Sequence, residues 1–184
     1  MIIAFTGAGV SKESGIDTFQ DRPGIREKLY RSYALAHPQE YREVMREFVN
    51  GMKDKEPNDA HIALAEYNIP IITMNVDGLH KKAGSENVIE LHGGLPSEEQ
   101  LEYCEKLINL PVLYGDPAPN YQKAYSFVDA MRPRDILLVI GASDYTMVAN
   151  ILREMAKGRG AEIVEIQDNA ATKVRKFLEE QERT

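Results

Sequence analysis

Met1-Ile2-Ile3-Ala4-Phe5 is a short apolar run that leads directly into Thr6-Gly7-Ala8-Gly9-Val10-Ser11. An apolar run of this length, ended by glycines, reads as a buried strand. Two glycines one residue apart let the backbone turn tightly and approach a group that a Cβ would strike. Amide groups exposed in such a turn, ahead of a helix start, make a site for phosphate. The Rossmann fingerprint needs a third glycine three residues on. Lys12 stands there, so that pattern fails. Ser11 to Gly15, read as Ser-x-x-Ser-Gly, is a different nucleotide-binding turn. A tight strand-to-helix turn without a ligand has the same local pattern.

Further strand candidates are Ile69–Thr73, Val88–Glu90, Pro111–Tyr114, Ile136–Ile140 and Glu162–Ile166. Helical stretches separate most of them. Alternating strands and helices imply an α/β fold with a mostly parallel sheet covered on both faces. Residues 22–56 form a longer insertion with helix-like stretches at Ile25–Ala36 and Pro38–Met52, read as a small helical lobe over the nucleotide end. Asp168–Glu180 reads as an amphipathic closing helix. The expectation is one domain over residues 1–184.

The net charge of -7 argues against a broad nucleic-acid footprint. An acidic surface would instead attract a basic peptide. No run approaches the roughly 20 apolar residues of a membrane helix. Residues 1–5 are too short for a secretory signal, so the expected location is cytoplasmic. Cys104 is the only cysteine, which rules out an internal disulfide and a multi-cysteine zinc site. Its acidic neighbours disfavour a thiolate, so it is read as a structural or surface thiol.

Three segments join the opening turn: Thr73-Met74-Asn75-Val76-Asp77-Gly78-Leu79-His80, Glu90-Leu91-His92-Gly93 and Ile140-Gly141-Ala142-Ser143. His92 follows a strand candidate, at the end where α/β sheets bind ligands. Imidazole titrates near neutrality and can take a proton from a hydroxyl; a packed or solvated ring is the alternative. Asn75 and Asp77 lie on the same rim, and an amide with a carboxylate can hold a carboxamide by paired bonds. Asp77 is equally suited to cap the helix start that follows. His37, His61 and His80 read as packed or solvated rings.

In this order, these segments together with Gly7 to Phe19 resemble the sirtuin family of NAD-dependent protein deacylases. Pro57-Asn58-Asp59-Ala60-His61-Ile62-Ala63-Leu64 resembles the family's helix before its second strand. The likeness spans about Ile2 to Asn169. It implies NAD as cofactor and an acyl-lysine protein or peptide as partner. Gly7, Ala8, Gly9 and Ser143 would hold phosphates and ribose, and Asn75 and Asp77 the nicotinamide. Ser14, Phe19, Gln20, Met74, Gly141 and Gln167 would complete the cofactor site. His92 would be the general base, freeing a ribose hydroxyl to attack an O-alkylimidate, with Asn75 also near the reacting ribose. The activity implied is NAD-dependent removal of an acyl group from lysine. The alternatives are an NAD glycohydrolase or ADP-ribosyltransferase, and a noncatalytic NAD or ADP-ribose sensor.

The chain departs from the family in several places. It starts on the first strand, where sirtuins usually carry a helix, so it is expected to be trimmed there. After His92 the family inserts a zinc-binding module with two cysteine pairs. Here Leu95–Gln100 starts a helix with Ser97 and Gln100 as a capping box, expected to cover the sheet edge through Leu101, Cys104, Leu107 and Ile108 without metal. Gln20 replaces an arginine and Met74 a glutamine, which should weaken cofactor positioning. Tyr114-Gly115-Asp116 resembles the Phe-Gly-Glu loop where peptide adds as a strand. Pro117 and Pro119 reduce the amides available there. Val49 and Met52 stand near where members that remove acidic acyl groups carry tyrosine and arginine, so a succinyl-type substrate is not expected. A bulky residue at Gly9 is expected to abolish NAD binding with the fold intact.

Overall fold

The computed structural model describes residues 1–16, 24–143 and 146–183. Its sheet has strands β1 (Ile2–Thr6), β2 (Ile71–Thr73), β3 (Val88–Glu90), β4 (Ile136–Ile140) and β5 (Glu162–Ile166), all parallel, in the order β3-β2-β1-β4-β5. Ala4 at the centre faces Ile71 on one side and Leu138 on the other. The chain builds outward from β1 to β3, then crosses back to β4. The carboxyl ends of β1 and β4 therefore flank the point where connections diverge, which is where such sheets form a crevice.

β2 starts at Ile71 because Pro70 has no N–H for the ladder, although its carbonyl still accepts from the Ala4 N–H at 2.9 Å. Alternate residues of the central strands supply two cores. Ile3, Phe5, Leu137 and Val139 pack with Ala124, Val128, Val148, Leu152 and Ala156 from helices α6 (Pro119–Asp129) and α7 (Met147–Gly158). Ala4, Ile71, Leu138 and Ile140 pack with Ala60, Leu64, Val174 and Leu178 from α4 (Asp59–Glu66) and α8 (Ala170–Glu182). Each fully buried aliphatic side chain contributes about 1.5–3 kcal/mol. The closing helix thus begins at Ala170, not Asp168, after Asn169 in a left-handed conformation at φ 49.

A third core belongs to the helical lobe. The expected helix Ile25–Ala36 is two, α1 (Ile25–Lys28) and α2 (Arg31–Ala36), because Tyr30 is extended at φ -85 and ψ 139. Tyr30 bridges to Tyr114: Leu29 accepts from the Tyr114 N–H, and the Arg31 N–H donates to Tyr114, both at 2.9 Å. Pro111–Tyr114 is therefore not a strand of the sheet. Pro111 lacks an amide proton, the Val112 N–H donates to the His92 carbonyl at 2.9 Å, and Tyr114 pairs with the lobe. Pro38 starts α3 (Pro38–Met52), whose Tyr41, Val44, Met45 and Phe48 form one buried stripe at helical spacing. That stripe shares its core with Leu101, Cys104 and Leu113.

The stretch after His92 is helical, as expected, but it does not cover the sheet edge. It is a 3-10 helix, Glu99–Lys106, kinked at Tyr103 (φ -143, ψ 21), and it packs with the lobe. Its capping box is formed: the Ser97 N–H donates to Gln100 Oε1 at 2.8 Å and the Gln100 N–H to Ser97 Oγ at 3.4 Å. Arg42 grips Glu105 through two bonds of 2.8 and 2.7 Å, and Arg31 grips Asp116 at 2.7 and 2.6 Å. Arg31 also donates to the Glu105 and Leu107 carbonyls. Cys104 is fully buried, and burial pushes its thiol pKa up.

Candidate active site

The rim at the carboxyl ends of β1 and β4 is a backbone-to-backbone contact. A Cβ on Gly9 would lie 2.5 Å from Gly141 Cα, and one on Gly7 would lie 2.7 Å from the Gly141 carbonyl oxygen. Gly141 is itself at φ +57, with its own Cβ position 2.4 Å from Gly9. Close approach does explain the glycines, but it is approach to each other. The turn's amides are also largely committed. Gly7 donates to Ile140 at 3.0 Å, Gly9 to Gly141 at 2.9 Å and Val10 to Gly7 at 3.1 Å. The turn is thus not an open row of donors, and a bulky residue at Gly9 would collide with the second loop. The expectation that such a variant keeps its fold is corrected.

Ala8 to Ser14 form a 3-10 helix behind this contact. Ser14 Oγ accepts from Asn58 Nδ2 at 3.1 Å, and the same amide donates to the Val10 carbonyl at 2.8 Å. Asn58 caps α4, with His61 completing the reciprocal cap. The Asn58 N–H donates to His61 Nδ1 at 3.3 Å, so Nε2 carries the imidazole proton and faces Ser11 Oγ at 3.4 Å.

Ser11 joins the two rim residues picked from sequence. Its hydroxyl donates to Asp77 Oδ2 at 2.7 Å and accepts from Asn75 Nδ2 at 3.2 Å. Asn75 Nδ2 also lies 3.2 Å from the Gly7 carbonyl, which it donates to. Asp77 Oδ1 accepts the Leu79 N–H at 3.0 Å, so the capping role read from sequence is present at α5 (Leu79–Lys82). Beneath lies a buried chain. Thr6 donates to Thr73 at 2.8 Å, Thr73 Oγ1 accepts the Asn75 N–H at 3.0 Å, and His80 Nε2 meets Thr6 Oγ1 at 2.9 Å. Because the Thr6 proton is given to Thr73, His80 donates through Nε2. Burial pulls the His61 pKa down to about 4, opposed by Asp77, and that of His80 to about 3 with His61 adding to the effect. Both rings are neutral parts of the scaffold, as their sequence context indicated.

His92 stands at the end of β3, on the turn formed by Gly93 at φ +69, where a Cβ would fall 2.0 Å from the Asn109 carbonyl oxygen. Its Nδ1 lies 2.9 Å from the Met74 carbonyl oxygen. A carbonyl only accepts, so Nδ1 carries the proton and Nε2 presents the lone pair. Nε2 lies 2.9 Å from the Tyr121 hydroxyl, which therefore donates to it. Burial lowers the His92 pKa, and the Met74 carbonyl opposes this. A neutral imidazole with Nε2 as its basic atom is the form present near neutral pH. Met74 matters through its backbone, while its side chain packs on the core beside Ile72 and Leu91.

Ser143 is exposed just past β4. Gln167, after β5, donates to the Ala142 carbonyl at 3.1 Å and Glu165 at 2.7 Å, next to Arg153, which holds the same two groups. Phe19 and Gln20 lie outside the described residues. The structure thus brings Gly7, Ala8, Gly9, Ser14, Asn75, Asp77 and Gly141 to one rim, with His92 linked through Met74. Thr6, Thr73, Asn58 and Tyr121 were not picked from sequence as site residues. The N-cap pattern Asn58-Asp59-Ala60-His61 could have flagged Asn58. Nothing local marks Tyr121, which meets His92 only through the tertiary fold. Among the described residues no group of three or more His, Cys, Asp or Glu is placed to hold a metal.

The site is thus a parallel sheet with a glycine-packed crevice, a neutral imidazole and an amide–carboxylate pair at its carboxyl rim. The Sir2 family profile matches residues 7–107, more than half of the chain, and the chain belongs to that family. It is 34% identical to an NAD-dependent protein deacylase of Thermococcus sibiricus over 90% of this chain and 79% of that protein. It is 34% identical to another from Pyrococcus furiosus over 97% of this chain and 86% of that one. A solved Sir2 homologue in complex with ADP-ribose superposes with a TM-score of 0.82 at 26% identity, covering 99% of this chain and 92% of its own.

Proposed function

We propose that this chain is a cytoplasmic NAD-dependent protein-lysine deacylase, one NAD-binding domain over residues 1–184, built without the family's zinc module. The observation that carries the reading is His92: Nδ1–H is fixed on the Met74 carbonyl, leaving Nε2 as a base at the sheet's carboxyl rim. The names of the Thermococcus and Pyrococcus relatives support the activity. The donor set fits NAD: small neutral groups, Ser14, Asn75 and Ser143, border the β1–β4 crevice beside the Asp77 carboxylate. Bound NAD would supply an electrophilic ribose carbon, with nicotinamide as the leaving group.

Gly7, Ala8, Gly9 and Gly141 would shape the floor on which phosphates lie, and Ser14, Ser143 and Gln167 would hold phosphate and ribose. Asn75 and Asp77 would hold the nicotinamide amide. Phe19, Gln20 and Met74 would border the same cofactor. His92 would accept a ribose hydroxyl proton at Nε2 and orient through Nδ1. The partner is an acyl-lysine segment of a protein or peptide. The zinc-free reading is supported by the single cysteine and by the Thermococcus match, which runs over 206 positions against 184 residues here. That relative therefore holds positions with no counterpart in this chain. A lone cysteine, forming no internal disulfide, suits a reducing compartment.

His92→Ala should keep NAD binding by calorimetry and lose acyl transfer by about 100-fold or more, because the base acts on the transition state. Deacylation by that variant at the wild-type rate would end this reading. Because burial lowers the His92 pKa, the acid limb of the wild-type pH–rate profile should lie below the ordinary imidazole value of about 6.5. NAD cleavage without acyl transfer is the second reading, favoured by the apolar Met74 side chain where the family has a polar amide. Nicotinamide release that needs no acyl peptide would identify it.

A further inference from the structure

The lone pair of His92 does not face open space. The Tyr121 hydroxyl sits on it at 2.9 Å, while the other ring nitrogen is tied to Met74. Tyr121 is carried on a fixed stretch of backbone, the first turn of α6. Pro119 begins that helix, the Tyr121 N–H donates to the Ala118 carbonyl at 3.2 Å, and Asn120 Nδ2 donates to the Glu90 carbonyl at 2.7 Å. The Tyr121 ring also meets Tyr125 edge-on at 6.2 Å. A proton bound for Nε2 must therefore displace this phenol or pass through it. The phenolic oxygen keeps lone pairs for a second hydroxyl while it donates to His92.

We propose that Tyr121 relays the proton between the ribose hydroxyl and His92, an inference that rests on His92 being the base. The ribose O–H bond breaks as its proton binds Tyr121 Oη. In the same event the Tyr121 proton moves to His92 Nε2. The phenol ends neutral, the imidazole becomes imidazolium, and the electron pair stays on the ribose oxygen, which becomes the nucleophile for the acyl carbon. Burial raises the Tyr121 pKa, which keeps the phenol protonated and able to donate at rest. The phenol's bond to the neutral imidazole also holds the ring in its basic tautomer.

The test is Tyr121→Phe, which removes one oxygen, with 3-fluorotyrosine at position 121 as a second, folding-neutral variant. In the free protein, an NMR titration of His92 should show its pKa rising by about 0.5–1 unit in Tyr121→Phe, because a donor to the neutral form is lost. NAD affinity should be unchanged, and single-turnover acyl transfer should fall by about 10-fold or more. The fluorotyrosine variant should shift the pH–rate profile toward the lower pKa of its phenol. Transfer lost in His92→Ala but kept within twofold in Tyr121→Phe would overturn the relay and leave His92 as the base. So would an unmoved His92 titration. Transfer that survives His92→Ala, or a wild-type chain without any transfer, would defeat the base assignment and the relay together.

Discussion

The sheet rim and the helical lobe are held in place by opposite means. At the rim, two loops meet through glycine backbones, and short side chains fill the gaps: Thr6, Thr73, Ser11, Asn75, two uncharged imidazoles and one carboxylate, Asp77, with no cation paired to it among the described residues. In the lobe, charged forks reach from helices to carboxylates. Arg31 holds Asp116, whose side chain is 2% exposed, and Arg42 holds Glu105 at 4%. A contact made by missing side chains tolerates no added volume. A contact made by buried ions tolerates no missing partner. Under the proposed function the rim must keep its shape to receive a cofactor, whereas the lobe must keep Tyr114 and Asp116 in register with Tyr30 and Arg31.

The sharpest way to break this contrast is one methyl group. Gly141→Ala places a Cβ 2.4 Å from the Gly9 backbone at φ +57 and should cost about 3–4 kcal/mol, or prevent folding. The same change at Gly51 in α3, where a Cβ meets nothing within 4 Å, should stabilise by about 0.5–1 kcal/mol. Urea melts of the two variants decide it; equal stabilities would mean that the rim contact is soft.

Next comes charge. Arg31→Met leaves the Asp116 carboxylate buried and alone and should cost about 3 kcal/mol. Adding Asp116→Asn should recover at least half of that, since the orphaned charge goes with it. A double-mutant cycle by denaturant melts checks both; a single variant within 0.5 kcal/mol of wild type, by the usual spread of surface substitutions of about that size, would show that the fork does not clamp the lobe.

The smallest effect is a difference in acid sensitivity. His61 and His80 are depressed to about 4 and about 3, so between about 6.5 and 4 the unfolded chain binds protons that the folded rim refuses. Stability through the rim is therefore present above that window and falls as pH drops through it, by about 2 kcal/mol for the two rings together over the first pH unit below about 6.5. In the lobe, burial raises the Asp116 pKa, but Arg31 and the Leu113 N–H lower it further, leaving it below its ordinary value. Arg42 lowers that of Glu105 against burial. Their contribution persists above the ordinary carboxylate range and is lost only as pH falls through the depressed folded values. Methyl NMR during acid titration should show rim residues such as Val10 loosening before lobe residues such as Met45. The reverse order would refute the assignment of the ion pairs to the lobe and the neutral imidazoles to the rim.

Features carried by adjacent residues were legible. The Ile2–Phe5 run with its glycines, the Pro38 start of α3, the Ser97–Gln100 box and the Asp77 cap all depend on neighbours within four residues, and all are present. What failed depended on a distant partner. Pro111–Tyr114 has the composition of a strand, yet its ladder partner is Tyr30, not the sheet. The segment Glu99–Lys106 is helical as its apolar pattern indicated, yet it joins the lobe core and not the sheet edge. His92 was found because it follows a strand, but its tautomer was not, since that is set by Met74 and Tyr121, respectively 18 and 29 positions away.

The sequence by itself determined the alternation of strands and helices, the crevice at the carboxyl end of β1 and the residue types that meet there, because period, glycine spacing and caps are local properties of a chain. It also placed glycines at 7 and 9, where a tight turn or a close approach was expected. Only the tertiary structure decided that the excluded Cβ would strike Gly141, that Arg31 would fasten the Tyr114–Asp116 loop to the lobe, and that a tyrosine would stand on the basic nitrogen of His92. Each of these is a contact between segments far apart in the chain, and its geometry exists only after the sheet has set the distance between them.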